Sequence, residues 1–277
     1  MTKVAITCLV IGLSVSMAGS PTISPTVLAA AAEGSFRVQQ VVDGDTVVLH
    51  DGRYLRYLGI NAPERGEPFC DEAKSLNARF VHEREVALEF EEVTHDGYGR
   101  LLAYVQVDGT MVNAELLAAG FVHIFLLEPI RYYEQFRSIQ EQARAKRRGV
   151  WGRGGFKGPL KITRLKADAE GDDRHNLNDE YVRVCNVSSD DVDLQGFVLS
   201  DRHRHRYTFP SAVLRPGYTA LLFTGKGRNV VKGAHQLRFF WGSDYPIWNN
   251  KGDTAFLRTP GGELIDSFAH IRRAQRK

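Results

Sequence analysis

Acidic and basic residues stand at turns and strand ends in the first half of this chain. They are Asp43 and Asp45 in one short turn, Arg56 and Glu64 within and after the next β-like run, and Arg100 at the start of a later run. Hydrolysis of a phosphodiester needs positive charge at the phosphoryl oxygens, a carboxylate that orients or deprotonates water, and donors for the developing charge. Carboxylate oxygens are also the ligands that calcium prefers. Each residue alone is common in turns and strands, but the set predicts metal-assisted phosphodiester hydrolysis.

The elements that must position these residues are short β-like runs and three helices. The runs span 38–42, 46–49, 54–60, 86–90 and 101–107, and the helices span 68–84, 112–119 and 129–149. The Asp51-Gly52 pair is a strong hairpin signal. The order of three strands, one helix and two strands predicts an α+β domain, a five-stranded OB-fold β-barrel with three helices. Such barrels often bind single-stranded nucleic acid, although a fold alone does not define a function.

The second half of the chain has a different pattern. A Gly-rich stretch at 153–159 predicts a linker. After it come only short β-like runs, which span 160–165, 181–186, 197–200, 218–224, 254–258 and 264–268. Turn signals such as Arg215-Pro216-Gly217 separate these runs, and their spacing predicts an all-β sandwich over 160–269. The last residues, 270–277, form a basic tail.

The first 32 residues predict a signal peptide. Lys3 precedes an apolar run over 4–15, and a stretch rich in small residues follows at 27–32. The apolar run is shorter than the about 20 residues that a membrane-spanning helix needs. An uncleaved anchor is the alternative, because the polar segment 16–26 makes the cleavage region long. We expect a secreted protein without stable membrane association once the signal is cleaved.

The composition is that of an ordinary soluble globular protein. Hydrophobic residues make up 43% and charged residues 25% of the 277 residues, and the formal net charge is +3. So small a charge indicates little about partners, and the distribution of charge matters more than its sum. Cys70 and Cys185 lie outside the signal, and the sequence leaves open whether they are two thiols or one disulfide.

Three motifs in the first domain resemble one known family. They are Val42-Asp43-Gly44-Asp45-Thr46-Val47, Leu55-Arg56-Tyr57-Leu58-Gly59-Ile60-Asn61-Ala62-Pro63-Glu64 and Tyr98-Gly99-Arg100-Leu101-Leu102-Ala103-Tyr104. Together and in this order they resemble the staphylococcal nuclease (thermonuclease) family, and the likeness runs from Phe36 to Trp151. We therefore expect a catalytic domain over 36–152. The resemblance implies that nucleic acid, DNA or RNA, is cleaved with calcium to leave 3′-phosphate ends.

The resemblance also implies a role for each motif residue. Asp45 matches a calcium-binding aspartate, and Asp43 matches a nearby acid that supports the metal site. Arg56 and Arg100 match two arginines that hold the phosphate and stabilise the transition state. Glu64 matches a glutamate that positions or deprotonates the attacking water.

Other family positions are kept or altered in this sequence. Tyr98 matches a tyrosine near the terminal phosphate of a bound nucleotide. Asn61 stands where a second calcium aspartate is expected, so we expect weaker calcium binding. Ala62 replaces a threonine whose backbone carbonyl binds calcium, and alanine keeps that carbonyl. A phosphate-binding lysine is replaced by Gly97, and a base-facing tyrosine by Phe125, which still offers a ring for stacking on a base.

The second domain resembles a lamin-tail domain. The segments that carry the likeness lie at 178–182, 192–201, 207–210 and 248–257. The resemblance implies an immunoglobulin-like sandwich that acts as a binding or targeting accessory, with no ligand indicated. Two features invite a metal interpretation, a group of acids at 168–179 and the pair His203 and His205. Solvated acids and a basic surface strip that contacts phosphate are the alternatives that we favour.

The motifs favour an enzyme over two other kinds of protein. A non-catalytic nucleic-acid-binding module is the first alternative, because barrels of this kind lose their acids and keep binding. A surface-attached protein organised by the sandwich is the second. Asp45, Arg56, Glu64 and Arg100 are all present, and binding alone does not require the acids. We therefore predict a secreted calcium-dependent nuclease.

Overall fold

The computed structural model describes residues 33–232 and 234–271. The predicted signal peptide at 1–32 lies outside the described residues, as does the tail from 272 onwards. Within the described ranges, no helix has the length and apolar character needed to cross a membrane.

The first domain is a barrel with helices packed on it. In chain order its elements are β1 (Glu33–Val41), β2 (Thr46–Leu49), β3 (Tyr54–Tyr57), β4 (Ile60–Asn61), α1 (Cys70–Val81), β5 (Glu85–Glu89), β6 (Leu101–Val107), β7 (Thr110–Met111), α2 (Val112–Ala119), β8 (His123–Ile124) and α3 (Tyr133–Ala145), followed by a 3₁₀ turn at Gly149–Trp151. The sheet order is β3-β2-β1-β5-β6-β7, and a parallel pairing of β3 with β6 closes it. The predicted five-stranded barrel with three helices is confirmed.

Alternating apolar side chains fill the interior of the barrel. Val38, Val47, Leu55, Leu88 and Val105 come from five different strands and all are fully buried. Successive side chains of a strand point to opposite faces, so each strand contributes every second residue to this core. Burial of such side chains contributes about 1.5–3 kcal/mol each and holds the closed barrel together.

One predicted strand is interrupted, and the interruption shapes the site described below. The pattern at 54–60 predicts a single run, but β3 ends at Tyr57 and β4 is a separate short strand. Between them lies Gly59 at φ +79°, where a Cβ would lie 2.5 Å from Cδ1 of Ile130. Only glycine permits this turn. It sends β4 away from the barrel to pair with β8, which places Asn61 opposite His123.

The helices agree with the periodic pattern within a few residues. The prediction for α2 matches its observed bounds, whereas α1 and α3 are shorter than 68–84 and 129–149. Phe69 has a left-handed φ of 68° at the start of α1, so the helix begins only at the next residue. At the other end of α1, the backbone of His82 is extended and stops the helix.

The second domain consists of two four-stranded sheets and a two-stranded pair. Its strands are β9 (Leu160–Lys166), β10 (Tyr181–Asn186), β11 (Val192–Asp193), β12 (Val198–Ser200), β13 (Arg206–Thr208), β14 (Val213–Leu214), β15 (Thr219–Phe223), β16 (Gln236–Phe240), β17 (Gly252–Arg258) and β18 (Leu264–Ile271). The two-stranded pair is β11 with β14, and the larger sheets have the orders β16-β15-β10-β9 and β13-β12-β17-β18. Phe209 and Phe239 meet edge to face at 5.1 Å in the core between them. The expected immunoglobulin-like sandwich is confirmed.

The loop before β15 fastens the sandwich to the barrel. The Leu126 N–H donates to the carbonyl of Gly217 at 2.8 Å, and the Tyr133 hydroxyl donates to the carbonyl of Pro216 at 2.8 Å. At Gly217 φ is +78°, and a Cβ there would lie 2.4 Å from Cγ2 of Ile124. The close approach of the two domains therefore requires glycine at this position.

Both cysteines of the described chain are free thiols. Cys185 is buried at the contact between the domains, and its Sγ lies 3.6 Å from the carbonyl oxygen of Ile124. Burial raises the pKa of this thiol. Cys70 is at the start of α1, and no disulfide joins it to Cys185. The two domains are thus held together by non-covalent contacts.

Candidate active site

The candidate site begins at the turn between β1 and β2. The Asp45 N–H donates to Oδ1 of Asp43 at 3.0 Å, which closes the turn. A Cβ on Gly44 would lie 2.6 Å from Cβ of Ala73 in α1 and 2.8 Å from Cβ of Ala62. Glycine therefore lets α1 and the end of β4 press against the turn. This packing brings Asp45 next to the residues that follow β4.

Asp45 and Arg56 form a buried ion pair in the barrel. Oδ1 of Asp45 lies 3.2 Å from Nε of Arg56, and strand pairing places Thr46 opposite Arg56. The same carboxylate accepts hydrogen bonds from the Thr46 hydroxyl at 2.9 Å and from the Ala62 N–H at 2.5 Å. Burial raises the pKa of Asp45 to about 7, against the lowering effect of Arg56, and Asp43 raises it further. A nearby cation would stabilise the ionised form of this carboxylate.

The Arg56 guanidinium is held by the ion pair with Asp45 and by two hydrogen bonds. Its two terminal nitrogens donate to the Tyr57 carbonyl at 2.7 Å and to Oδ1 of Asn61 at 3.0 Å. One N–H group on each terminal nitrogen remains for another acceptor. A guanidinium held in this way is prepared to donate to a phosphoryl oxygen with little further ordering.

Asn61 lies between Arg56 and a neutral histidine that the sequence reasoning missed. Its Nδ2 donates to the Ala62 carbonyl at 3.1 Å and lies 3.3 Å from Nε2 of His123. Nδ1 of His123 lies 2.8 Å from the Ile124 carbonyl, which assigns the proton to Nδ1 and leaves Nε2 as an acceptor. Burial lowers the pKa of His123 to about 3. The Asn61 amide can donate a hydrogen bond to this acceptor nitrogen. A carboxylate at position 61 would instead place an oxygen lone pair against the lone pair of Nε2.

Asp43, Asp45, Asn61 and Ala62 form a corner of the site, and these residues fit a hard cation. They offer the carboxylates of Asp43 and Asp45, the amide oxygen of Asn61 and the carbonyl of Ala62, which are oxygen donors of the kind that calcium takes. The desolvation of Asp45 and its repulsion by Asp43 are the electrostatic strain that such a cation would relieve. The assignment of Asp45, Asn61 and Ala62 as ligands, with Asp43 as a supporting acid, stays a prediction.

Glu64 lies at the open side of the corner. The residue is exposed, yet the protein around it raises the pKa of its carboxyl by desolvation and by repulsion from Asp43 and Glu67. Arg164 and Arg56 act in the opposite direction. A carboxylate in this environment is a better proton acceptor than an ordinary one, as a general base requires.

The second domain reaches the loop that carries Glu64. The Glu64 N–H donates to Oε2 of Glu67 at 2.8 Å, and Oε1 of Glu67 accepts from Nζ of Lys161 at 2.5 Å. Lys161 is buried in β9 and also lies 3.7 Å from Oδ2 of Asp266. The position of the Glu64 loop therefore depends on a lysine of the sandwich.

Arg100 and Tyr98 form a separate group beside the buried pair. Nε of Arg100 donates to Oδ2 of Asp96 at 2.7 Å. Burial acts to raise the pKa of Asp96, but hydrogen bonds from Arg100 outweigh it and lower that pKa. The exposed ring of Tyr98 lies 5.6 Å from Cζ of Arg100. The parallel pairing of β3 with β6 places Leu102 opposite Arg56. Arg100 lies two residues before Leu102 in the chain, and its side chain is hydrogen-bonded to Asp96.

Phe125 lies at the contact with the sandwich. Its N–H donates to the Gly59 carbonyl at 3.0 Å, and the ring is half-buried. Cζ of Arg183, from β10, lies 5.7 Å from the centre of this ring. The sequence predicted a base-facing role for Phe125 but gave no sign that a sandwich arginine would lie over it.

Two features of the sandwich invited a metal interpretation from the sequence, the histidine pair and the acidic loop, and their contacts are now visible. The histidine strip is tied to a buried acid, because Oδ2 of Asp201 lies 2.6 Å from Nδ1 of His205 and 3.6 Å from Nδ1 of His203. Among the residues that the structure describes, Asp201, His203 and Asp253 bring potential metal ligands within 4.8 Å of one another. In the acidic loop at 168–179, side chains of the protein already hold the acids. Asp179 pairs with Lys166, Asp172 with Arg174, and Asp168 and Asp173 accept from Asn250.

Comparison with known proteins agrees with this architecture, a barrel of the OB type with a buried acid–arginine pair and a sandwich behind it. Residues 54–153 match the family described as staphylococcal nuclease homologue, and residues 156–272 match the Lamin Tail Domain. Over 134 residues the chain is 31% identical to the thermonuclease of Staphylococcus hyicus. This match covers 45% of this chain and 79% of that protein. The chain therefore belongs to the family of staphylococcal nuclease homologues.

Two relatives from Bacillus subtilis (strain 168) are similar over the same region. Endonuclease YncB is 33% identical over 131 residues, and the SPbeta prophage-derived endonuclease YokF is 34% identical over 131 residues. Each match covers 43% of this chain. It covers 62% of YncB and 44% of YokF, so the chain matches only part of the length of either relative.

Proposed function

We propose that this protein is a nuclease that hydrolyses phosphodiester bonds of DNA, RNA or both with the help of calcium. The observation that carries the proposal is the buried Asp45–Arg56 pair, which lies beside Glu64 and the oxygen donors of Asn61 and Ala62. A binding module has no need for a buried carboxylate that is paired with an arginine beside further oxygen donors. The endonuclease and thermonuclease names of the relatives support the same class of reaction.

Each residue of the site has a task in such a reaction. Arg56 uses its two remaining N–H groups to hold a phosphoryl oxygen and to stabilise charge that develops there. Glu64 orients the attacking water and accepts its proton, which its raised pKa favours. Arg100 turns from Asp96 to the phosphate, where a bidentate contact is available. Calcium, when bound by the donors around Asp45, supplies further positive charge to the phosphoryl oxygens.

We also propose the products and the location of the enzyme. Departure of the 5′-oxygen would leave 3′-phosphate ends, as the resemblance of the motif residues implies. Export is supported by the signal-like segment at 1–32, with Lys3 ahead of its apolar run. The sandwich would then act outside the cell as an accessory domain.

The test is hydrolysis of single-stranded DNA by the purified protein, with calcium and then with excess chelator. Cleavage that needs calcium and yields 3′-phosphate ends is the expected result. Binding of the strand at every calcium concentration without cleavage would contradict the proposal and favour a non-catalytic binding module. Cleavage that persists in chelator would remove calcium from the proposal while keeping the nuclease.

A further inference from the structure

The sandwich places two arginines against aromatic residues of the barrel. Arg164 in β9 and Arg183 in β10 lie directly opposite each other in the antiparallel register. Cζ of Arg164 lies 5.7 Å from the ring of Tyr98, and Cζ of Arg183 lies 5.7 Å from the ring of Phe125. Tyr98 and Phe125 belong to the barrel, so both arginines reach across the contact between the domains.

This pair of like charges is unfavourable for the fold itself. Like charges directly opposite each other on adjacent strands destabilise a sheet. Within the described ranges, neither Arg164 nor Arg183 has a salt bridge, and Nε of Arg183 is buried without a hydrogen-bond partner. Lys166 provides a contrast, because it lies two residues further along β9 and pairs with Asp179. An arrangement that costs stability points to an acceptor supplied from outside the protein.

Aromatic rings lie against these arginines. The ring of Tyr98 lies 5.7 Å from Cζ of Arg164 and 5.6 Å from Cζ of Arg100. Tyr181 interacts with Tyr98, and its own ring lies 5.6 Å from Arg183. The ring of Tyr98 is exposed, and those of Phe125 and Tyr181 are half-buried. Arginines alternating with accessible rings are the surface that a single-stranded nucleic acid uses, with phosphates on the cations and bases on the rings. Double-stranded nucleic acid does not offer its bases in this way.

We infer that the sandwich forms one wall of the substrate cleft, where Arg164 and Arg183 bind backbone phosphates of single-stranded nucleic acid that extends from the scissile bond. The inference deepens the proposed function and rests on it. It gives the second domain a direct part in substrate binding. Arg164 is the more exposed of the two, so it is the first contact to test.

The binding test uses the full chain in chelator, so that nothing is cleaved. A fluorescent single strand of about 20 nucleotides is titrated at several salt concentrations. We expect Arg164→Ala to weaken binding about tenfold, since it removes a charge-assisted hydrogen bond. The slope of log K against log salt should also become less steep by about 0.7. Arg238→Ala is the matched control, because Arg238 is an exposed arginine at the opposite edge of the same sheet.

Equal effects of Arg164→Ala and Arg238→Ala, or an unchanged salt slope, would overturn the inference. Unfolding midpoints are recorded for each variant. If Arg164→Ala lowers the unfolding midpoint, Arg164→Lys separates a binding role from a structural one. Lysine keeps the positive charge, so a phosphate contact requires that it restore the salt slope of binding. An unrestored slope would then count against the inference.

A hydrolysis test separates this inference from the proposed function. With calcium, Arg164→Ala should raise KM for the long strand about tenfold. The effect of Arg164 on Glu64 acts on every substrate, so kcat/KM should fall further for the long strand than for a dinucleotide. Equal losses on both substrates would overturn the inference, because they would confine the effect of Arg164 to the scissile bond. If the wild-type protein binds the strand with the predicted salt slope but cleaves neither substrate, the proposed function fails while the binding surface stands.

Discussion

Asp45 in the barrel and Glu180 in the sandwich are both buried carboxylates, and burial raises the pKa of each to about 7. Their neighbours differ. Glu180 accepts the backbone N–H groups of Ile247 and Trp248 at 3.1 Å and 2.8 Å, so it holds one segment in place. Asp45 meets the Arg56 guanidinium and lies at a corner that also carries Asn61 and Glu64. A perturbed pKa alone therefore does not identify an active site, and the groups around the carboxylate decide its use.

The largest effect on activity should come from Glu64→Gln. The amide keeps the shape of the side chain and cannot accept a proton, so kcat should fall about 10²–10⁴-fold. The measurement is turnover of single-stranded DNA at saturating calcium, together with the unfolding midpoint. Because Glu64 is exposed, folding should be kept. A folded variant with unchanged turnover would remove Glu64 from the chemistry.

Glu180→Gln should change the dependence of stability on pH instead of activity. The pKa of Glu180 is raised from 4.5 to about 7, so its contribution to stability is present below pH 4.5 and lost as pH rises through about 7. The loss in the free energy of unfolding is up to about 3 kcal/mol. We expect Glu180→Gln to flatten this part of the curve, and exposed Glu263→Gln to leave it unchanged. A variant curve parallel to the wild-type curve would contradict the role of buried Glu180.

Glu67→Ala should give a smaller loss of activity by releasing the Glu64 loop. Glu67 links the Glu64 N–H to Lys161 of the sandwich. We expect kcat to fall about tenfold with KM little changed, since positioning contributes to the transition state more than to binding. Glu67→Gln keeps an acceptor and should restore part of kcat. If Glu67→Ala lowers only the unfolding midpoint and kcat is unchanged, the link from Glu64 through Glu67 to Lys161 has a structural role alone.

Asn61→Asp should have the smallest effect and should lower the calcium needed for half-maximal activity a few-fold. An added carboxylate strengthens a calcium site. The gain is limited because the new carboxylate would face the acceptor nitrogen of His123, which Asn61 now satisfies. The measurement is a calcium titration of activity. If the calcium requirement does not move or rises, Asn61 is not a ligand.

The sequence predicted the barrel well because its signals are local. The run at 101–107 and the helix at 112–119 match β6 and α2, since periodicity and a C-terminal glycine define both. The interruption at Gly59 was missed, because it depends on the close approach of Ile130 from elsewhere in the chain. In the sandwich, strands of two or three residues such as β11 and β14 have too little alternation to be recognised.

The site could be predicted only in part, for the same reason. Asp45, Arg56 and Glu64 lie in motifs of adjacent residues, and a resemblance identifies them. His123 carried no such signal, because its importance comes from the pairing of β4 with β8. The contacts of Lys161 and Arg164 with the barrel depend on how two domains pack, which no local pattern records.

The most direct test of the account compares Asp45→Asn with Glu180→Gln in turnover of single-stranded DNA at saturating calcium. Both variants neutralise a buried carboxylate of similar pKa, so they are matched in burial and charge. The account predicts that Asp45→Asn loses turnover at least about 10²-fold while remaining folded, and that Glu180→Gln keeps it at pH 7. Equal turnover in the two variants would show that the Asp45–Arg56 corner is not the catalytic site.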